Sequence, residues 1–207
     1  MTEFWESAFK DKKEMWGAEP AHSAVLTQAF FAAQKVKKVL IPGIGYGRNA
    51  GVFIEAGMTV TGIEISPTAI GLAHNHFGDT LKIYQGSVTE MPFDDQRYDG
   101  IFCYGLIYLL GEAERKKILQ DCYNQLAEGG FMVFTVITKE AKTYGKGTRI
   151  GKDRFEMFGG VKIFFYDKAA VEAEFGPLGL FEITEVKENY PFYLIKCRKG
   201  SLKERQD

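Results

Sequence analysis

The 207-residue sequence predicts an α/β fold: an open, doubly wound, mostly parallel sheet with helices on both faces and an antiparallel hairpin at its C-terminal end. Three observations carry that reading. Between residues 36 and 138, short β-branched runs alternate with longer helical patterns, the spacing of parallel β-α-β units with right-handed crossovers. A glycine-rich bend stands between the first strand and the first helix of that alternation. After residue 180, two strand-like runs follow each other across a short turn, which calls for antiparallel pairing.

Element by element, residues 1–35 form a helical arm with Trp5, Trp16 and a helix started at Pro20. Val36–Ile41 reads as a buried strand stopped by Pro42-Gly43. Arg48–Ala56 places Val52, Phe53 and Ala56 at helical spacing and ends at Gly57. Thr59–Ile65 is the second strand. Ser66 and Pro67 then supply an N-cap and a first-turn proline for a helix to Phe77, closed by Gly78. Leu81–Tyr84 and Tyr98–Tyr104 are the third and fourth strands. Glu112–Leu126 is an amphipathic helix, ended by Glu128-Gly129-Gly130 before a fifth strand, Phe131–Thr138. Residues 139–166 are rich in Gly, Lys, Arg and aromatics, an excursion at the sheet's carboxyl edge where lids and binding loops occur. Phe181–Lys187 and Phe192–Arg198 make the final pair. The chain reads as a single domain, with residues 200–207 a frayed tail.

Composition narrows the function. Lys plus Arg number 26 and Asp plus Glu 27, a net charge of -1, so nothing draws the chain as a whole to nucleic acid or an anionic membrane. Three widely spaced cysteines without a C-x-x-C speak against a disulfide framework or zinc knuckle and for a reducing compartment. The N-terminus lacks a charged-then-apolar signal pattern, and Ile101–Leu110 is about half the ~20 residues of a membrane span. A soluble, cytoplasmic protein is expected, as a monomer or homodimer.

The most informative stretch is Val39–Asn49, with glycines at 43, 45 and 47. Ligands of open sheets bind outside the strand carboxyl ends, and glycines there let a ligand approach the backbone. A dinucleotide loop wants G-x-G-x-x-G. Here the pattern is G-x-G-x-G and the third-glycine position is Arg48, which suits a ligand without a pyrophosphate. Glu64 ends the second strand, placed to accept hydrogen bonds from a ribose diol. Alone, the glycines could serve a tight turn and Glu64 a solvated strand end; together they point to an adenosine-containing ligand.

The block Val39–Ser66 resembles motif I and the acidic strand end of class I S-adenosylmethionine-dependent methyltransferases. The likeness spans most of residues 36–198, since the final hairpin suits that family's seven-stranded, Rossmann-like sheet. Residues 57–66, Pro42 and the Trp-bearing arm are similar to thiopurine methyltransferases, and Gly47-Arg48-Asn49 to tellurite-resistance methyltransferases. The resemblance implies S-adenosylmethionine as cofactor, S-adenosylhomocysteine as product, no metal, and a small soft acceptor such as a thiol. It implies a cofactor site of Pro42, Gly43, Ile44, Gly45, Gly47, Arg48, Asn49, Glu64, Ile65, Ser87, Val88, Cys103 and Tyr104. Two positions depart from the pattern. Ile41 stands where many members carry an acid, leaving the backbone at Gly43 and Cys103 to meet the cofactor's amino group. Ser87 replaces the acid that grips the adenine.

Methyl transfer from a sulfonium is an in-line displacement in which the protein aligns the acceptor and excludes water. Tyr104 and Tyr108 are the candidate catalytic residues, with core packing as the alternative reading. Trp16, Tyr108, Arg149, Arg154 and Phe155 are expected to shape the acceptor pocket. Against that stand a solvated loop for the arginines and an anchoring role for Trp16; Phe30 could also close over the cofactor. Asp99 reads as a structural cap, and His22, His74 and His76 as surface or cap residues. Two other classes compete, a nonenzymatic S-adenosylmethionine-binding module and a nicotinamide-dependent oxidoreductase. Nucleic-acid methylation is weaker, because no Asn/Asp-Pro-Pro-Tyr motif for an extruded base is present.

Overall fold

The computed structural model describes residues 2–200; residues 201–207 of the expected tail lie outside them. The arm consists of α1 (Thr2–Lys12) and α2 (His22–Ala33). The alternation follows as β1 (Lys38–Pro42), α3 (Gly51–Glu55), β2 (Thr59–Glu64), α4 (Pro67–Phe77), β3 (Lys82–Gln85), β4 (Tyr98–Cys103), α5 (Glu112–Gln125) and β5 (Leu126–Ile137). Then come β6 (Thr148–Gly151), β7 (Arg154–Met157), β8 (Val161–Phe164), α6 (Lys168–Phe175), β9 (Leu180–Lys187) and β10 (Pro191–Arg198).

Seven strands form the main sheet in the order β3-β2-β1-β4-β5-β10-β9. All neighbours up to β5 run parallel, and β10 lies antiparallel between β5 and β9. Side chains alternate across the strands, so the sheet buries two cores. Leu40, Ile101 and Phe134 face α5 and α6, with Ile118, Val171 and Phe175. Val39, Ile41 and Phe102 face α2 and α3, with Phe31 and Phe53. The doubly wound reading therefore holds, with helices on both faces.

Local chemistry explains several boundaries. Ser66 Oγ accepts from the Ala69 amide at 3.1 Å, the expected cap of α4. Asp99 accepts from the Lys37 and Lys38 amides at 2.9 and 3.0 Å, pinning the start of β1 as the cap reading had it. Two elements differ from expectation. α3 is only five residues long, because a turn closed from the Ala50 amide to the Gly47 carbonyl, 2.8 Å, takes up the segment from Arg48. β5 begins at Leu126 rather than Phe131. Its glycines extend the strand instead of ending the helix, and the Gly129 amide and Gly130 carbonyl pair with Lys199 at 3.1 and 2.9 Å.

The excursion at 139–166 holds a second, three-stranded antiparallel sheet, β6-β7-β8, that the sequence did not announce. Phe155, Met157, Ile163 and Phe165 pack it onto Leu109, Ile137 and Phe192 at the carboxyl edge of the main sheet. Lys139 Nζ fastens it, 2.7 Å from Asp153 and 2.6 Å from Asp167. No helix among the described residues is long and apolar enough to cross a membrane.

Candidate nucleoside site

The bend after β1 is held by backbone that only glycine adopts comfortably: φ is +69° at Gly43, +59° at Gly45 and +82° at Gly47. The protein itself fills two of the three positions. A Cβ would stand 2.8 Å from Leu106 Cδ2 at Gly43 and 2.7 Å from Phe77 Cε2 at Gly47. The ligand-approach reading of the sequence is thereby narrowed to Gly45, where the nearest atom lies on the arm, Phe9 Cζ at 3.8 Å. Pro42 closes β1, and Ile44 packs over Gly62 so closely that a Cβ there would stand 2.7 Å away.

Arg48 and Asn49 hold the arm. Arg48 Nη1 donates to the Trp16 carbonyl at 2.7 Å, and Asn49 Oδ1 accepts from the Ala21 amide at 2.9 Å. Both residues of the expected cofactor site thus also fasten the arm, and the Arg48 guanidinium stands 5.8 Å from the centre of the Tyr104 ring.

Glu64, 6% exposed, turns its carboxylate into the bend. Oε2 accepts from the Gly45 amide at 2.9 Å, and Oε1 from Ile65 and Ser66 at 2.8 and 2.9 Å. Burial pushes its pKa above the ordinary value of 4.5, against the lowering effect of the three amides. Ile65 is half-buried beside it. Ser87, expected at the adenine, spends its hydroxyl on the turn at Val88–Glu90, 2.7 Å from Thr89 Oγ1 and 3.3 Å from the Thr89 amide. Val88 and Cys103 are buried, and burial drives the Cys103 thiol pKa upward.

α1 lies across this bend. Phe9, 3% exposed, packs with Tyr46 and Ala69. Glu6 accepts from Ser66 Oγ and Thr68 Oγ1, each at 2.6 Å, which lowers its pKa to about 2. Sequence reasoning missed Phe9, although Trp5 and Phe9 stand at i and i+4, the spacing of one helical face. Trp16, 45% exposed, stacks on Tyr46 at 6.1 Å with the rings 9° apart, the anchoring alternative. Phe30 sits edge-on to Phe131 at 5.1 Å, in the cluster on the α2 face, and is not placed over the bend.

At the end of β4, the Tyr104 hydroxyl donates to Glu188 Oε2 at 2.7 Å. Burial, then the hydrogen bond to Glu188, raises its pKa; burial does the same for Tyr108. The second sheet treats its candidates differently. Phe155 is buried 5.6 Å from Tyr144 and 6.1 Å from Phe165, in a cluster against which Tyr108 also packs. Arg154 alternates to the other face of β7, its Nη1 3.5 Å from where a Cβ on Gly111 would stand. Arg149 is exposed and donates to the Gly151 carbonyl at 3.3 Å. A cavity of about 530 Å³ opens behind the bend, with Glu14, Tyr46, Arg48, Val52 and Phe77 in its wall, and Glu64 is not part of that wall.

The structure superposes on the Burkholderia thailandensis 1,6-didemethyltoxoflavin-N1-methyltransferase, solved with its substrate and S-adenosylhomocysteine, at a TM-score of 0.76 over 97% of this chain and 87% of that one, with 17% identity. The two chains share a fold. Residues 40–134 match the methyltransferase domain family. Over 113 residues the chain is 32% identical to a ubiquinone biosynthesis O-methyltransferase of Coxiella burnetii, covering 53% of this chain and 47% of that protein. Over 133 residues it is 26% identical to a sarcosine/dimethylglycine N-methyltransferase of Aphanothece halophytica, covering 56% and 46%. The chain thus spans about half the length of the curated relatives it matches.

Proposed function

We propose that the protein transfers the methyl group of S-adenosylmethionine to a small-molecule acceptor and releases S-adenosylhomocysteine. Glu64 carries the reading. A carboxylate oxygen accepts two hydrogens; Oε1 already has two and Oε2 only one, from Gly45. The remaining place on Oε2 suits a ribose hydroxyl, and a further donor offsets the cost of a buried charge. Such a ligand would enter when α1 lifts, since Phe9 and Glu6 stand over the approach. The amino group, in a site where Ile41 is buried and apolar, is left to the carbonyls of Gly43 and Cys103.

When bound, the cofactor supplies an electrophilic methyl on a sulfonium. The chain's own part is alignment and the exclusion of water. α1 and the second sheet enclose the strand ends, with Trp5 packed against the aromatic clusters of both. Tyr104 and Tyr108 stay protonated at neutral pH, so they position rather than act as bases. The resemblance of residues 57–66, Pro42 and the arm to thiopurine methyltransferases, and of Gly47-Arg48-Asn49 to tellurite-resistance methyltransferases, supports a small acceptor, with a thiol as the sequence's expectation. The oxidoreductase and the nonenzymatic module are not favoured, and the match over residues 40–134 supports the transferase.

Calorimetric titration tests this. S-adenosylmethionine and S-adenosylhomocysteine are expected to bind, and Glu64→Ala to weaken both by about 1–3 kcal/mol. Labelled methyl should then move to a member of a small-molecule panel. Unchanged affinity in the variant removes the ribose assignment, and tighter binding of NAD revives the oxidoreductase.

A further inference from the structure

The turn at residues 188–190 holds a carboxylate that the sequence reading passed over. Phe192 pairs with Ile137 at the end of β5, so the turn before it projects beyond the strand carboxyl ends, beside Tyr104. Glu188 Oε1 accepts from the Ser23 amide at 2.8 Å and from the Ser23 hydroxyl, and is full. Oε2 accepts only from the Tyr104 hydroxyl and has one place left. No cation pairs with Glu188 among the described residues.

Aromatic rings gather around this acid. Tyr104, Tyr108 and Tyr190 lie 6.0, 6.2 and 6.3 Å from Phe192. The Tyr108 hydroxyl has no hydrogen-bond partner among the described residues. One of these rings already attracts a cation, the Arg48 guanidinium 5.8 Å from the centre of Tyr104. Ring faces beside a half-buried carboxylate with an open acceptor place favour a positive guest.

We propose that Glu188 and these rings seat the reacting nitrogen of a small amine acceptor. The proposal rests on the methyl-transfer reading and names its acceptor. An amine N–H fills the open place on Oε2 with a charge-assisted hydrogen bond, and the rings take its charge. Glu188 also receives the amine's surplus proton: an N–H bond breaks, an O–H bond forms, and the nitrogen keeps its lone pair. A thiol is the poorer guest here, because S–H is a weak donor to the open place and the carboxylate repels a thiolate. This argues against the thiol expected from sequence.

The test is a calorimetric titration of benzylamine, benzyl alcohol and benzyl mercaptan into the full chain, with and without saturating S-adenosylhomocysteine. The amine is expected to bind about tenfold more tightly than its two isosteres, and Glu188→Gln to erase that preference. S-adenosylhomocysteine affinity should stay within about twofold in the variant. Equal or better binding of the alcohol or thiol overturns the proposal. So does a parallel loss of all three in Glu188→Gln, the mark of a mere helix cap. Should that variant not fold, Tyr104→Phe keeps carboxylate and ring and must retain the amine preference; its loss overturns the proposal equally. A protein that prefers the amine but ignores the nucleoside sinks the transferase reading instead.

Discussion

At Gly47 a single methyl group meets two obstacles, a backbone at φ +82° and Phe77 2.7 Å away. Gly47→Ala is expected to cost about 1–3 kcal/mol in chemical denaturation; an unchanged midpoint would show that α4 can shift aside. Glu64 works in the opposite sense. Its folded pKa is raised above 4.5, so its contribution to stability is full below 4.5 and is lost as pH rises through the folded value. At neutral pH the fold bears a cost there, which fits a residue kept for a ligand. Both residues were legible in the sequence because motif spacing marks them. Glu188 was not. It stands in a turn with no pattern, and its importance comes from Ser23 and Tyr104, 165 and 84 residues distant along the chain.

The arm is the element whose behaviour can be watched directly, because it carries both tryptophans, Trp5 and Trp16. Glu6 ties α1 to the start of α4, with its pKa lowered from 4.5 to about 2. A lowered carboxylate pKa stabilises above the unfolded value and ceases to do so as pH falls through the folded one. Tryptophan emission is therefore expected to shift between pH 4.5 and 2, and Glu6→Gln to abolish the shift. A shift that persists in the variant would place the titrating group elsewhere. Trp5, Trp16 and Pro20 announced an arm, but not which side chain covers Gly45. The second sheet was still harder to see. Its strands are four residues each, divided by Lys152-Asp153 and by Gly159-Gly160, and β6 is exposed throughout, so no alternation of burial marks it.

Across the whole molecule the order of elements was readable because each parallel unit repeats the same punctuation: an apolar run, a glycine or capped helix start, an amphipathic turn. The final hairpin was readable for the opposite reason, having no room for a crossover. Its placement has a testable outcome. Ending the chain at Tyr190 removes β10, which pairs with both β5 and β9, and the shortened protein is expected to lose cooperative thermal unfolding by circular dichroism. A sharp transition would mean that β9 can close onto β5 directly. During synthesis this arrangement imposes a waiting period. Until the ribosome has released the residues that become β10, β5 and β9 each present an unsatisfied seam, and a nascent chain in that state is open to mispairing with its neighbours. Because the keystone strand is made after both of its partners, a pause before it emerges prolongs the exposure of both seams.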